Sequence, residues 1–134
     1  MQKIYYENLN ARQQEIYNFQ KVSSIFADYG FTTVKLSDDW MGADFIAISF
    51  DGSKHIKVQL KGRMTFEKKY LGKEIMVCFC DRKNDCWYLY DHDELLKKFV
   101  KDIGNTESWS IKGGYSYPVL SKYAKEELAK YILR

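Results

Sequence analysis

The stretch SDDWMGADFIAISFDGSKHIKVQLKGR, residues 37–63, decides the fold of this chain. Its second half, from His55 to Lys61, alternates polar and apolar residues at every position, which predicts a β-strand with one face in a core. Its first half, from Asp44 to Phe50, is predominantly apolar on both faces after Asp44, so this strand is expected inside the sheet. The pair Asp51-Gly52 between them is a strong signal for a tight hairpin turn, because glycine readily adopts the positive φ that a type I′ turn requires.

The register of this hairpin decides which polar side chains share a face. With a two-residue loop, Asp44 stands opposite Gln59, and Lys61 lies one diagonal step away on the same face. With a four-residue loop that ends at Lys54, Asp44 stands opposite Lys61 instead. Either loop gathers a carboxylate, an amide and an ammonium group at one end of the hairpin, whereas a three-residue loop would separate them.

These residues carry a resemblance to a known family. Gly42-Ala43-Asp44 followed by Gln59-Leu60-Lys61 resembles the two motifs of the PD-(D/E)XK nuclease superfamily, in the branch whose second motif is Q-x-K. The resemblance implies an α/β (α+β) fold with a restriction-endonuclease-like core, in which helices flank a central mixed sheet of about five strands. The chain departs from the family pattern at Ala43, where the family has proline, and at Gln59, which replaces the second acid and weakens the expected metal site.

The resemblance also implies a function, namely metal-dependent hydrolysis of phosphodiester bonds by a DNA endonuclease of the homing, restriction or resolvase type. Asp44 would be the main ligand of Mg²⁺ or Mn²⁺, with the Gln59 side-chain oxygen, the Leu60 carbonyl and an acid of the first helix, Glu15, assisting. Lys61 would orient or deprotonate the attacking water, or neutralise the charge that develops on the phosphorane. Glu15 is equally well explained as a carboxylate that the helix dipole favours.

Cationic residues are concentrated around this hairpin, between residues 54 and 73. They stand against a single acid, Glu67, and are Lys54, Lys57, Lys61, Arg63, Lys68, Lys69 and Lys73. Four of these side chains are predicted to hold a phosphate backbone without reading its sequence, namely Lys57, Arg63, Lys68 and Lys69. A solvated face with loop lysines would carry the same residues, so the patch alone does not decide between the two interpretations.

Two other functions remain open from the sequence. A nucleic-acid-binding module on the same scaffold would keep the cations without catalysis, and a protein-interaction domain would use exposed tyrosines and tryptophans. A half-exposed strand whose polar face meets water could also show Lys-x-Gln-x-Lys, but Asp44 at the start of an otherwise apolar strand favours the nuclease. Cleavage of both strands of a duplex usually needs two active sites, which favours a homodimer or a larger homo-oligomer.

Composition sets the class of protein. The 134 residues fit one domain, residues 1–134, and the apolar share of 46% favours a folded globule over a disordered chain. The net charge of +3 neither supports nor excludes a nucleic-acid partner. No apolar run approaches the roughly 20 residues of a membrane span, the polar first residues do not form a signal peptide, and the three cysteines are expected as buried free thiols. We therefore expect a cytoplasmic protein that does not bind membranes.

The remaining elements follow from caps and periodicity. Asn10 is predicted to cap a helix that continues to about Tyr29 and ends at Gly30. Asp39, in the loop that precedes the hairpin, is a candidate outer contact of the metal, and His92 is expected at the surface. The other predicted elements are a strand over 31–36, a loop over 37–42, strands over 74–80 and 86–90, a helix from Asp91 to Gly104, a long loop over 105–120 and a helix from Ser121 to about Leu133.

Overall fold

Eight strands and three α-helices follow one another along the chain. The computed structural model describes the backbone of residues 1–134 and the side chains of all of them except 39 and 40, so the predicted contact by Asp39 lies outside the described side chains. The elements are α1 (Ala11–Asp28), β1 (Phe31–Trp40), β2 (Ala43–Ser49), β3 (His55–Lys61), β4 (Thr65–Glu67), β5 (Ile75–Asp81), β6 (Cys86–Asp91), α2 (His92–Ile103), β7 (Gly114–Ser116), α3 (Lys122–Leu128) and β8 (Ile132–Leu133). No helix in the described part of the chain is long and apolar enough to cross a membrane.

The central sheet has six strands in the order β1-β2-β3-β5-β6-β8. Its neighbours pair antiparallel except for β3 and β5, which run parallel, so the sheet is mixed. The predicted α/β (α+β) class with a mixed sheet flanked by helices is confirmed, with six strands where about five were expected. Two short strands, β4 and β7, form a separate antiparallel pair, and β7 lies in the segment 105–120 that was predicted as a long loop.

Helix α1 covers one face of this sheet. It begins as predicted at Asn10, whose side chain accepts a hydrogen bond from the backbone of Gln13 at 2.9 Å while the Gln13 side chain accepts one from the backbone of Asn10 at 3.0 Å. Such a reciprocal cap satisfies two backbone donors that the first turn leaves free. Packed together on this face are Val22 and Phe26 of the helix, half-buried Phe19, and the strand residues Phe45, Ala47, Val58 and Cys78.

Helix α2 covers the opposite face. Asp91 caps it as predicted, since its carboxylate accepts a hydrogen bond from the backbone of Glu94 at 3.1 Å. The core on this side contains Leu95, Leu96, Phe99 and Ile103 of the helix and Ile75, Val77, Phe79 and Tyr90 of the sheet. Residues alternate between the two faces of a strand, so Gln59, the neighbour of Val58 and the partner of Val77, lies on the α2 side.

The β2–β3 register is the one that a two-residue loop predicts. Phe45 pairs with Val58 and Ile48 with His55, and the paired positions end at Phe45 and Val58. The turn itself is wider than a type I′ turn, because the last bonded pair is Ser49 with Lys54 and only Gly52, not Asp51, has a positive φ. Of the two registers that the sequence left open, the structure has the one of the two-residue loop, while the expected turn type is wrong.

The tight turn of this region lies instead at Met41-Gly42. Both residues have a positive φ, 51° and 87°, and they join Trp40 directly to Ala43 in the β1–β2 pair. The predicted loop over 37–42 is thus mostly strand, because β1 continues to Trp40 through an irregular stretch where the register shifts between Lys35 and Trp40. Met41 carries no turn signal in the sequence, so a tight turn at Met41-Gly42 was not predicted. The tight turn was predicted at Asp51-Gly52, which does carry such a signal.

We expect Asp51→Asn to lower the free energy of unfolding at neutral pH and to have little effect near pH 2. Hydrogen bonds from the backbone and hydroxyl of Ser53 and from the hydroxyl of Ser49 lower the pKa of Asp51 to about 2. The folded state therefore favours the ionised carboxylate, and its contribution is fully present above the ordinary pKa of 3.8 and is lost as the pH falls towards 2. Urea unfolding midpoints of both proteins should converge over this range, and a constant difference would contradict the assignment.

Candidate functional site

The start of β2 is held against the segment that follows β4. Gly42 has a φ of +87°, and a Cβ atom on it would lie 3.2 Å from Cδ1 of the Tyr70 ring. A side chain at position 42 would therefore meet both backbone strain and a close ring contact. This close approach brings the first residues of β2, which carry Asp44, beside the turn of 3-10 helix Lys68–Tyr70.

Asp44 reaches across to the neighbouring strand. Its Oδ2 atom accepts a hydrogen bond from the backbone N–H of Leu60 at 2.9 Å, and the side chain is half-buried. The β2–β3 pairs end at Phe45 and Val58, and beyond them this hydrogen bond holds the Asp44 carboxylate against the backbone between Gln59 and Lys61.

Gln59 is the buried polar residue of this face. The side chain is 8% exposed, and its Oε1 atom is enclosed and accepts no hydrogen bond from any described residue. An unsatisfied buried acceptor costs about 1–3 kcal/mol, a loss that a cation or a donor at this position would remove. Because Oε1 is covered, it becomes a ligand only when the amide turns towards Asp44.

Lys61 lies in an ion pair that the sequence analysis did not anticipate. Its Nζ atom is 3.0 Å from Oε2 of Glu67 and 5.6 Å from the centre of the Tyr70 ring. Burial raises the pKa of Glu67, but the hydrogen bonds from Lys61 and Tyr70 and the charges of Lys61 and Lys69 outweigh it, so the pKa lies below its usual value. The signal in the sequence is that Glu67 is the single acid among the cations of residues 54–73, where a lone carboxylate is expected to pair with one of them.

His92 fastens the segment that carries Glu67. The prediction that His92 lies at the surface is wrong, because the side chain is fully buried between the rings of Phe66 and Tyr70. Its Nε2 atom accepts a hydrogen bond from the backbone N–H of Glu67 at 3.0 Å, so the proton of the neutral ring is assigned to Nδ1, which lies 2.8 Å from Oδ1 of Asp93. The first turn of α2 therefore holds the chain on which Glu67 and Lys69 are placed.

Asp93 extends this connection to the next turn of the chain. Its Oδ2 atom accepts a hydrogen bond from the backbone N–H of Gly72 at 2.9 Å. Burial raises the pKa of Asp93, but the hydrogen bonds from His92 and Gly72 outweigh it and hold the pKa below its usual value. Residues 67–72 are thus tied to α2 at both ends.

Glu15 does not join this group. It is exposed on α1, one helical turn before Phe19, and Phe19 packs on Phe45 at a ring-centre distance of 5.3 Å. Phe45 faces the α1 side of the sheet, whereas Gln59 faces the other side. The predicted help of Glu15 in holding a metal therefore finds no support in its position.

The four cations predicted to hold a phosphate backbone have different surroundings. The Lys57 ammonium donates a hydrogen bond to the carbonyl of Lys73, which gives it a structural partner. Lys68 lies over the Trp109 ring at 5.4 Å, and Lys69 lies 4.0 Å from Glu67 and 5.4 Å from the Tyr70 ring centre. Arg63 is exposed and lines a cavity beyond the end of β3.

Few side chains near Asp44 could hold a divalent cation. No group of three or more His, Cys, Asp or Glu side chains suited to a metal ion occurs among the described residues. A cation here would have to use the Asp44 carboxylate and the Gln59 side-chain oxygen, and Mg²⁺ is commonly bound by one or two carboxylates while it keeps several waters. Such a pair would bind Mg²⁺ or Mn²⁺ with lower affinity than two carboxylates.

Comparison of the chain with known protein families, with curated proteins and with solved structures finds no match. The interpretation of the site therefore depends on its own geometry and on the resemblance of the two short motifs.

Proposed function

We propose that this protein is a metal-dependent endonuclease that hydrolyses phosphodiester bonds in DNA. The observation that supports the proposal is the hydrogen bond from the Leu60 N–H to the Asp44 carboxylate, which holds Asp44 beside Gln59-Leu60-Lys61 at one end of the β2–β3 hairpin. The order of elements supports it, since a helix and three antiparallel strands precede a fourth sheet strand, β5, as a restriction-endonuclease-like core implies. The connection between β3 and β5 contains β4 and a short 3-10 turn, whereas many members of the nuclease superfamily that the motifs resemble have a helix there.

In this proposal Asp44 and Gln59 hold the cation beside the scissile phosphate. The bound ion supplies Lewis-acid polarisation of the phosphate and activation of a water. Asp44 is oriented for this role by the Leu60 N–H, which donates a hydrogen bond to its Oδ2 atom. Gln59 adds a dipole without a charge, so saturation is expected at higher metal concentrations than for a site with two acids.

Lys61 acts as an electrostatic catalyst. An ammonium in an ion pair donates protons and does not accept them, so the contact of 3.0 Å with Glu67 favours stabilisation of phosphorane charge over removal of a proton from water. Arg63, Lys68 and Lys69 are exposed near this face and would hold the DNA backbone without reading its sequence. We propose that the protein works in the cytoplasm and, on duplex DNA, as a homodimer or larger homo-oligomer.

A second candidate function is a nucleic-acid-binding module that lacks catalysis. Two observations favour it: Glu15 lies away from Asp44, and Glu67 already neutralises Lys61. This candidate predicts salt-dependent DNA binding that is insensitive to Mg²⁺.

Nicking of supercoiled plasmid in the presence of Mg²⁺ or Mn²⁺ distinguishes the two functions. We expect Lys61→Ala to lower the nicking rate by about 100-fold or more, because a charge that acts on the transition state typically contributes that much. Lys97→Ala is the matched control, since Lys97 pairs with Glu94 on the exposed surface of α2 and its loss should leave the rate unchanged. Plasmid binding without nicking by any of the proteins would favour the binding module, and equal nicking by all three would contradict the assignment of Lys61.

A further inference from the structure

A cavity of about 610 Å³ opens beyond the carboxyl ends of the parallel strands β3 and β5. Residues 62–64 after β3 and residues 82–84 after β5 form two of its walls, and residues 117–120 with Lys125 of α3 form a third. Its size falls within the roughly 300–1,000 Å³ that is usual for ligand pockets. Ligands of sheets with parallel strands bind at this end of the strands, which makes the cavity a candidate binding site.

The lining of the cavity is strongly basic. Its cationic residues are Lys61, Arg63, Arg82, Lys83 and Lys125. The acid among its described lining residues is Asp81, and one oxygen of that carboxylate accepts a hydrogen bond from the Asn84 side chain at 2.8 Å. A ligand of this cavity is therefore expected to be an anion.

Arg82 is held in place before any ligand arrives. The central carbon of its guanidinium lies 3.3 Å from the centre of the Tyr6 ring, and the group donates a hydrogen bond to the side chain of Asn18. Tyr6 is fixed in turn, because its hydroxyl accepts a hydrogen bond from Asn18 at 3.0 Å and its carbonyl accepts one from Gln14 at 3.3 Å. A stacked guanidinium keeps a planar edge that matches a phosphate, and its ordering adds little further cost on binding.

The same cavity has an apolar side. Pro118, Val119 and Leu120 lie in the segment that closes it, and Val119 is 80% exposed. A flat, weakly polar group that packs against this exposed valine, beside the cations, would remove apolar surface of both from water, which favours binding. The cations on one side of the cavity suit the phosphate of a nucleotide, and the apolar residues on the other side suit its base.

We propose that this cavity binds one unstacked nucleotide of single-stranded DNA, with its phosphate on Arg82 and Lys125 and its base against Pro118 and Val119. A base in a duplex would have to leave the stack to enter, which costs a few kcal/mol, whereas a base of a single strand is already free to do so. The inference rests on the proposed function to the extent that Lys61 both lines the cavity and faces Glu67. A strand bound here continues from the cavity onto the face of Asp44 and Gln59.

Fluorescence anisotropy with a labelled oligothymidylate of about ten nucleotides tests the inference on the full chain in EDTA. We expect Arg82→Ala and Lys125→Ala each to weaken binding of the single strand by about tenfold, and each lost phosphate contact to reduce the salt dependence of log K by about 0.7. A duplex of the same length should bind less tightly than the single strand. Lys97→Ala removes a cation of α2 that does not line the cavity, so this variant should bind like the unaltered protein.

Two further variants separate a ligand contact from a loss of structure. Arg82→Gln can keep a donor to Asn18 and removes the charge, so it should bind as weakly as Arg82→Ala while its thermal unfolding stays unchanged. Tyr6→Leu keeps every cation and removes the stack, so it should weaken binding by only about threefold. Equal single-strand affinity in Arg82→Gln, Arg82→Ala and the unaltered protein would overturn the inference, as would a duplex that binds as tightly as the single strand.

The binding assay and the nicking assay can fail independently. Loss of nicking in Lys61→Ala together with oligothymidylate binding that still depends on Arg82 and Lys125 would support both the proposed catalytic role and the cavity inference. Nicking by a protein whose single-strand binding ignores Arg82 and Lys125 would overturn the cavity inference and leave the proposed function standing. Binding that depends on these two residues without nicking would support the inference and favour the binding module.

Discussion

Replacing Asp44 with asparagine should lower the rate of plasmid nicking by at least about 100-fold while the fold is kept. Loss of a residue that hydrogen-bonds to a metal ligand typically lowers activity or metal affinity by 10- to 100-fold. Asp44 is the only carboxylate that we assign to the cation itself, so its loss should have a larger effect. The asparagine oxygen can still accept the hydrogen bond that Oδ2 now receives from the Leu60 N–H at 2.9 Å. Thermal unfolding should therefore change little, and titration calorimetry with Mn²⁺ should show a loss of binding.

Asp28→Asn provides a control of the same chemical change. Asp28 is exposed at the end of α1, and its replacement should alter neither nicking nor Mn²⁺ binding. Nicking by Asp44→Asn within about threefold of the unaltered protein would contradict the role of Asp44 as the main ligand. A drop in nicking with intact Mn²⁺ binding would likewise remove Asp44 from the metal site.

The largest effect on stability is expected from His92→Leu. Leucine fills a similar volume but leaves the Glu67 N–H without its acceptor, whereas Asp93, whose side chain is 36% exposed, can bind water in place of His92. One donor left unsatisfied in the interior costs about 1–3 kcal/mol, so the free energy of unfolding should fall by about that amount. For a chain of this size that corresponds to a decrease in melting temperature of roughly 4–12 °C, measurable by circular dichroism.

The other histidine of the chain is the natural control. His55 is exposed at the start of β3, and His55→Leu should change the free energy of unfolding by no more than about 0.5 kcal/mol. His92→Gln keeps an acceptor for the Glu67 N–H and should recover part of the lost stability. Equal melting temperatures for His92→Leu and His55→Leu would show that the buried hydrogen bonds of His92 do not stabilise the fold.

The hairpin that carries the site could be predicted because its information is local. Alternation from His55 to Lys61 specifies which side chains share a face, and a shift of the register by one residue would have placed all of them on the wrong side. Burial of Val58 between two strands and α1 enforces that choice.

The parts that escaped prediction depend on contacts between distant segments. His92 is buried because β4 and Tyr70 fold over the first turn of α2, and nothing in its local sequence announces those neighbours. Glu67 meets Lys61 only because the β3–β5 connection folds back into a short strand that pairs with β7. Glu15 was expected near the metal only because the resemblance to the nuclease superfamily implies it. The side of the sheet that a helix covers cannot be deduced from its apolar stripe alone.

Under the proposed function, the ion pair between Lys61 and Glu67 sets a condition on the anions that can reach Lys61. An incoming phosphate would have to displace a carboxylate that lies 3.0 Å from the Lys61 ammonium and whose backbone N–H is bonded to His92. A phosphodiester of a bound strand, next to a cation on Asp44, would have a second attraction that a free anion such as chloride lacks. In the proposed nuclease Glu67 would therefore release Lys61 to a phosphate only when strand and metal are present together.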